Sequence, residues 1–361
     1  MDRRAFLKTA ALTAAAASLG RLPHVWAATE ANQWRAFEVT TLVEILSPTG
    51  VIRAWVPLPL SPDTDYHKTL GRTWYGNADV ARAARDPRYG AAFVAAEWAP
   101  GTAAPVLEVV SRVVTRDRQV DLSGPGTGGA EDPVTLRRYL EGSDLIRTDG
   151  IVEATAREIT AGTKTDLERA GALYEWIVDN TFHDPQVRGD GLGDIQTMLE
   201  TKSLGGKSAD LNALFVGFAR SIGIPARAVY GIRIADSAEF KSLGQSGDIT
   251  KAQHCRAEFY LAGHGWVPVD PADVRKIVLE EKPGGVPLGD PEVVTARGKL
   301  FGAWEMNWMA YNYGQDVRLP DSAGASVPFL MYPTAEVADL RRDPLEPERF
   351  RYTIKSREII F

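Results

Sequence analysis

Gly205-Gly206-Lys207-Ser208-Ala209-Asp210 runs straight into apolar residues at helical spacing, Leu211, Leu214, Phe215, Phe218 and Ile222, and Gly223 and Pro225 then close the series. A period near 3.6 predicts a helix with one buried face. Glycine just past the last apolar position, with proline beyond it, is a stop signal. The helix is expected from about 208 to 222, with Ser208 at its N-terminus. Unpaired amides and the helix dipole stabilise negative charge there, so the position suits a nucleophile. It equally suits a serine that only caps the helix.

Strand signals follow the helix: 226–234, 253–261 and 266–270. Along Gln253–Leu261, alternation puts His254, Arg256, Glu258 and Tyr260 on one face and Cys255, Ala257, Phe259 and Leu261 on the other. On the next strand Trp266, Pro268 and Asp270 oppose Val267 and Val269. A hairpin loop at Ala262–His264 would pair Arg256 with Asp270 and leave His254 diagonal to it. Diagonal neighbours lie about 7–8 Å apart at the backbone, within reach of long side chains. Ser208, His254 and Asp270 thus stand in order as nucleophile, base and orienting carboxylate. The plainer readings are a satisfied core histidine and an Arg256–Asp270 cross-strand ion pair.

Before the glycine loop, helical periodicity marks Ile151–Ile159 and Asp166–Thr181, the latter with Leu167, Ala170, Leu173, Trp176 and Ile177 on one face. Earlier still the pattern is strand-like: residues 33–60 with a turn at Ser47-Pro48-Thr49-Gly50, then Val106–Val120. Residues 61–100 read as irregular, and Ser123–Asp132 as a loop. The expected organisation is α+β: a β-rich N-terminal domain over 30–130, then a core over 145–275 in which the Ser208 helix packs on antiparallel strands. An extension over 276–361 packs back on that core. Its Trp304, Trp308 and Tyr311 read as core residues rather than a substrate platform.

The first residues read as an export signal. Arg3-Arg4 is followed by Phe6-Leu7-Lys8, an Ala-rich apolar run and Val25-Trp26-Ala27, the order of a twin-arginine signal peptide cut near Ala27. The apolar stretch Ala10–Gly20 is too short to span a bilayer. A periplasmic location, with no membrane insertion after cleavage, is the expectation. The full chain carries a net charge of −6; without the signal's four basic residues and one acid it holds 37 against 46, net −9. That balance argues against nucleic acid as a partner.

Cys255 is the only cysteine among 361 residues, so no internal disulfide can form. The five histidines show no metal-ligand spacing, and neither a metal nor a cofactor is expected. Gly206-Lys207-Ser208 ends like a phosphate-binding loop, but position 201 is Thr where that motif needs glycine. Arg188-Gly189-Asp190 reads as a chance triplet in a loop. Asp190 and Asp194 are too few for calcium.

Four ordered motifs together resemble the transglutaminase-like superfamily over roughly 150–275. They are Gly206-x-Ser208-x-Asp210, Gly223-Ile224-Pro225-Ala226-Arg227, His254-x-x-x-Glu258 and Gly265-Trp266-Val267-Pro268-Val269-Asp270. The stretches Ala252–Glu258 and Pro268–Asp273 are similar to bacterial exported transglutaminase-like proteins with a β-rich N-terminal domain. The resemblance implies a papain-like core with a Cys–His–Asp triad, doing amide hydrolysis or acyl transfer on peptide or protein. His254 falls at the base and Asp270 at its orienter. The cysteine position is occupied by Ser208, and alternation turns Cys255 away from the His254 face. A serine hydroxyl, unlike a thiol in such a site, must lose its proton during attack. Two readings therefore stand: an enzyme working through Ser208, and a pseudoenzyme whose cleft binds peptide or protein without cutting it.

Overall fold

The computed structural model describes residues 33–360. The expected signal peptide, 1–27, lies outside the described residues. Each expected element around the glycine loop has its counterpart. Helices span Ile151–Ile159, Asp166–Asn180 and Ser208–Ser221. Thr165 and Glu168 close a capping box on the second of these. Gly223, at φ +89°, takes the left-handed turn after the third, where a side chain would be strained.

The Ser208 helix is more deeply placed than its one apolar stripe suggests, for every residue from Ser208 to Arg220 is buried. It lies between the helices before it and a four-stranded antiparallel sheet ordered Gly265–Val269, Gln253–Leu261, Ala226–Arg233, Trp308–Asn312. Its polar residues survive burial because each has partners. Arg220, near the C-terminal end, donates to the carbonyls of Ala226 and Glu141 and to Gln315 Oε1 at 2.7–2.8 Å. The hairpin register is the expected one: Ala257 opposes Val269, and Leu261 opposes Gly265.

The β-rich part is two five-stranded sheets. One is ordered Gly247–Asp248, Phe350–Ile359, Arg35–Ile45, Val106–Thr115, His67–Gly76; the other Leu340–Arg342, Thr334–Val337, Ile52–Pro57, Ala92–Trp98, Val80–Arg85. Alternate residues of both, such as Phe37, Val39 and Val43 with Ala54, Val56, Val94 and Trp98, fall in one apolar cluster. Residues 61–100 therefore form three strands rather than an irregular middle. Two of these are edge strands whose side chains are mostly solvated, which removes the alternation that marks a strand in sequence. The C-terminal stretch expected as a core extension is shared out. Trp308–Asn312 completes the core sheet, while Thr334–Val337 and Phe350–Ile359 pair with N-terminal strands. Trp304, Trp308 and Tyr311 are all buried.

Candidate active site

Two glycines and an aspartate shape the loop that delivers Ser208. Phe182–His183 pairs in parallel with Gly205–Gly206, and a Cβ on Gly206 would sit 2.6 Å from Asp210 Cβ. Asp210 Oδ2 accepts from the Lys207 N–H at 3.0 Å, while its Oδ1 accepts from the N–H groups of Leu192 and Gly193 at 2.9 and 2.8 Å. Gly191, at φ +92°, passes so close that any Cβ would overlap the Asp210 carboxylate. The aspartate of the Gly-x-Ser-x-Asp motif thus fastens loop 189–193 against the first turn of the helix.

That loop carries Asp190 to Ser208. The Asp190 carbonyl accepts from the Ala209 N–H at 3.0 Å, and the Ser208 hydroxyl donates to Asp190 Oδ2. Ser208 Oγ also accepts from the Cys255 N–H at 2.8 Å. The hydroxyl therefore caps nothing; it ties the helix to the acidic loop and to the histidine strand. Burial, with the Asp210 carboxylate nearby, pushes Asp190 up to about 7, against the pull of its Ser208 hydrogen bond.

The expected His254–Asp270 contact is present, Nε2 to Oδ2 at 2.8 Å, with Asp273 Oδ1 at 3.5 Å from the same nitrogen. Asp270 Oδ1 is held by Asn212 Nδ2 at 3.0 Å and by the Asp273 N–H at 3.1 Å, the latter bond capping the helix Pro271–Glu280. Asn212 Nδ2 also reaches the Cys255 carbonyl at 2.8 Å. Arg256 Nε lies 3.6 Å from Asp270 Oδ2, so the cross-strand ion pair and the histidine contact coexist. Burial first, then the charges of Arg233 and Arg256, hold His254 well below the usual imidazole range, so the ring is neutral at neutral pH. Its Nδ1 makes no hydrogen bond among the described residues, and His254 lines the cleft.

Ser208, Asp190 and His254 share a cleft of about 450 Å3, bounded also by Lys207, Arg233 and Lys276. No hydrogen bond joins Ser208 to His254 among the described residues; the serine's partner is Asp190. Cys255 is fully buried, and burial pushes its thiol well above the ordinary range. It offers no nucleophile. His254, Asp270 and Asp273 bring their donor atoms within 4.8 Å of one another. The set does not fit a metal, because Arg233 Nη2 already pairs with Asp273 Oδ1 at 2.5 Å and Arg256 flanks Asp270. A dication there would face two guanidiniums.

Sequence reasoning missed Asp190, Asn212 and Asp273. Asn212 stands one helical turn after Ser208, a same-face spacing that could have flagged it. Asp273 ends Asp270-Pro271-Ala272-Asp273, an N-cap followed by Pro at the first helical position and an acid at the third. Nothing in the spacing points to Asp190.

Comparison with known proteins agrees with this architecture. Residues 153–271 match the family model of the transglutaminase-like superfamily. The chain is 33% identical over 347 residues to an uncharacterized protein of Haemophilus influenzae, covering 92% of this chain and 93% of that one. A crystal structure of a candidate cysteine protease from Cytophaga hutchinsonii superposes with a TM-score of 0.56, at 13% identity, over 91% of this chain and 92% of that chain. The periplasmic domain of TgpA from Pseudomonas aeruginosa is a more distant match: TM-score 0.31, 19% identity, 66% of this chain and 87% of that chain. By its ordered motifs, its family-model match and its fold, the chain belongs to the transglutaminase-like superfamily.

Proposed function

We propose that this protein is an exported hydrolase or acyl transferase acting on peptide or protein amides, with Ser208 as nucleophile. The observation that carries the reading is the shared cleft: Ser208, in the first turn of a buried helix, stands with a neutral His254 whose Nε2 is fixed by Asp270. Attack by Ser208 Oγ on a carbonyl carbon would build an oxyanion. The Ser208 N–H, in the first helical turn with no intrahelical acceptor, is a donor for it. His254, with Nδ1 free, is the base for the water or amine that resolves the acyl-serine. The cleft is lined by backbone as well as by both signs of charge, which suits an extended peptide. Export follows from the Arg3-Arg4 signal and predicts, by intact mass of protein from the native envelope, loss of about the first 27 residues.

A second reading, a peptide-binding pseudoenzyme, draws support from the Ser208 hydroxyl being committed to Asp190 and the Cys255 N–H rather than to His254. A quenched peptide library separates the two. Turnover by the parent that disappears in Ser208→Ala is the expected result. No turnover by the parent, but turnover by Ser208→Cys, means a disarmed cysteine-type site. No turnover by either, with peptide binding retained, leaves the binding module.

A further inference from the structure

We propose that Asp190 is a catalytic residue of this site, the carboxylate that takes the Ser208 proton, in place of the histidine that would serve a cysteine nucleophile. The inference rests on the enzyme reading above and assigns its first proton transfer. Three observations carry it. The Ser208 hydroxyl donates to Asp190 Oδ2, so the proton already points at the carboxylate. Asp190 is held there from both sides: its carbonyl by the Ala209 N–H, and its loop by the Asp210 carboxylate across Gly191. The third observation is that Asp190 lines the same cleft as Ser208 and His254.

The proton balance closes without any further reagent. Asp190 accepts the hydroxyl proton as Oγ bonds to the carbonyl carbon, and the tetrahedral oxyanion forms. The C–N bond then breaks, and the Asp190 carboxylic acid returns its proton to the leaving nitrogen, giving acyl-Ser208, a free amine and the carboxylate. In the second half, His254 Nδ1 takes a proton from water, which attacks the ester carbon. The imidazolium returns that proton to Oγ as the acyl–O bond breaks. A group that accepts and then donates within one step works best poised near the ambient pH. Asp190 meets that condition: burial, with the Asp210 charge added, pushes it up to about 7 against the pull of Ser208, Lys276 and Arg233. Tyr332 also faces it, with its phenol pushed well up by burial first and by the Asp190 charge second. A thiol gains nothing from such a neighbour, because a carboxylate against sulfur raises the cost of the thiolate. Serine at 208 and Asp190 make one coherent device, in which a hydroxyl nucleophile is matched by a base suited to it.

The test uses an ethoxy fluorophosphonate reporter on the full chain, with labelling at Ser208 mapped by mass spectrometry. Fluoride leaves without needing a proton, so only the Oγ proton has to be removed. The parent is expected to label, with a rate that rises through an inflection near pH 7. Asp190→Asn, nearly isosteric, should slow labelling about 100-fold or more and abolish the inflection, whereas His254→Ala should change the rate less than about 10-fold. The cysteine series reads the same contact with the opposite sign: in Ser208→Cys, Asp190→Asn should speed alkylation by iodoacetamide about 10-fold at pH 7. Slowing in both series would make Asp190 a structural prop and overturn the proposal. Labelling that survives Asp190→Asn but is lost in His254→Ala overturns it and keeps the enzyme reading. No labelling of the parent at any pH overturns both. The pH profile of the parent needs no variant, so an Asp190→Asn that unfolds leaves the proposal still testable: an inflection below pH 6 would sink it.

Discussion

One face of the strand Gln253–Leu261 carries two buried polar clusters, and they are built to opposite plans. At its far end Glu258 is fully buried between two guanidiniums: Arg118 pairs with Oε1, and Arg227 Nε with Oε2 at 2.5 Å. Aromatic rings close over the pair. Arg227 lies 3.9 Å from the centroids of both Trp266 and Tyr313, and Arg118 lies 4.5 Å from Tyr66. Burial alone would push the Glu258 carboxyl up, but the two arginines outweigh it and hold the carboxyl below its ordinary range. Among the described residues the far end leaves one polar atom, Arg118 Nε, without a hydrogen-bond partner, and the near end leaves more. Gln253 Nε2, Asn212 Oδ1 and Asp273 Oδ2 are buried without a hydrogen-bond partner, and Ser208, Asp190 and His254 open onto a cleft. Burial of charge does not distinguish the two clusters. Full charge pairing of the carboxylate marks the structural one, whereas several spare donors and acceptors beside a cavity mark the candidate active site.

The contrast predicts where stability and function separate. Glu258→Gln leaves two buried guanidiniums sharing one neutral acceptor. It should destabilise the fold by about 3–5 kcal/mol, read as a drop in the urea midpoint. A cost under about 1 kcal/mol would mean that the aromatic rings and water satisfy the arginines without the carboxylate, and the distinction between the clusters would collapse.

A smaller effect comes from His67, fully buried, with both ring nitrogens unpartnered among the described residues. Burial pushes it down to about 4 from an ordinary 6.5. The folded state resists a proton that the unfolded chain accepts. Stability on this account is therefore complete above about pH 6.5 and is lost as pH falls toward 4. The loss approaches about 3 kcal/mol at the lower limit. Unfolding free energies at pH 7, 5 and 4 for the parent and His67→Leu check it: the variant's profile should be flatter across that window. Identical slopes would show that His67 is protonated or solvated in the fold.

The two clusters also differ in how far they could be read from sequence. Alternation along 253–261 and the hairpin to Gly265–Val269 are local patterns, and they carried the register and with it the His254–Asp270 contact. Arg256 and Glu258 belong to the same alternation, but alternation does not say what covers the polar face. Nothing local shows that Arg118, paired with Trp304 in a separate two-stranded ladder, Tyr66, just before the strand His67–Gly76, and Trp308 cover it. The pairing of Phe350–Ile359 with Arg35–Ile45 is equally silent, since residues more than 300 apart share no period. Asp190 was illegible for another reason. It sits in a glycine-rich loop without periodicity, and its place depends on hydrogen bonds from that loop to Asp210, 18 residues or fewer along the chain yet visible only once both are folded.

The smallest effect sharpens the comparison most, because it makes pH separate the two clusters. Ser208→Ala removes a hydroxyl that accepts from the buried Cys255 N–H and donates to Asp190. Stranding that N–H costs about 1 kcal/mol at any pH. The bond to Asp190 adds a second, pH-dependent cost. It pulls the carboxyl down, so its removal raises the folded-state value above about 7. A carboxyl whose folded value lies above its unfolded one loses stability as pH rises through the folded value, and the variant must pay more of that loss once the carboxylate ionises. The gap between parent and Ser208→Ala should therefore be about 1 kcal/mol at pH 6 and widen by roughly another at pH 8. Glu258→Gln should show no such widening, because Glu258 is ionised throughout that range. A gap that stays constant from pH 6 to 8 would mean that Asp190 does not titrate there, and the near cluster would then be as static as the far one.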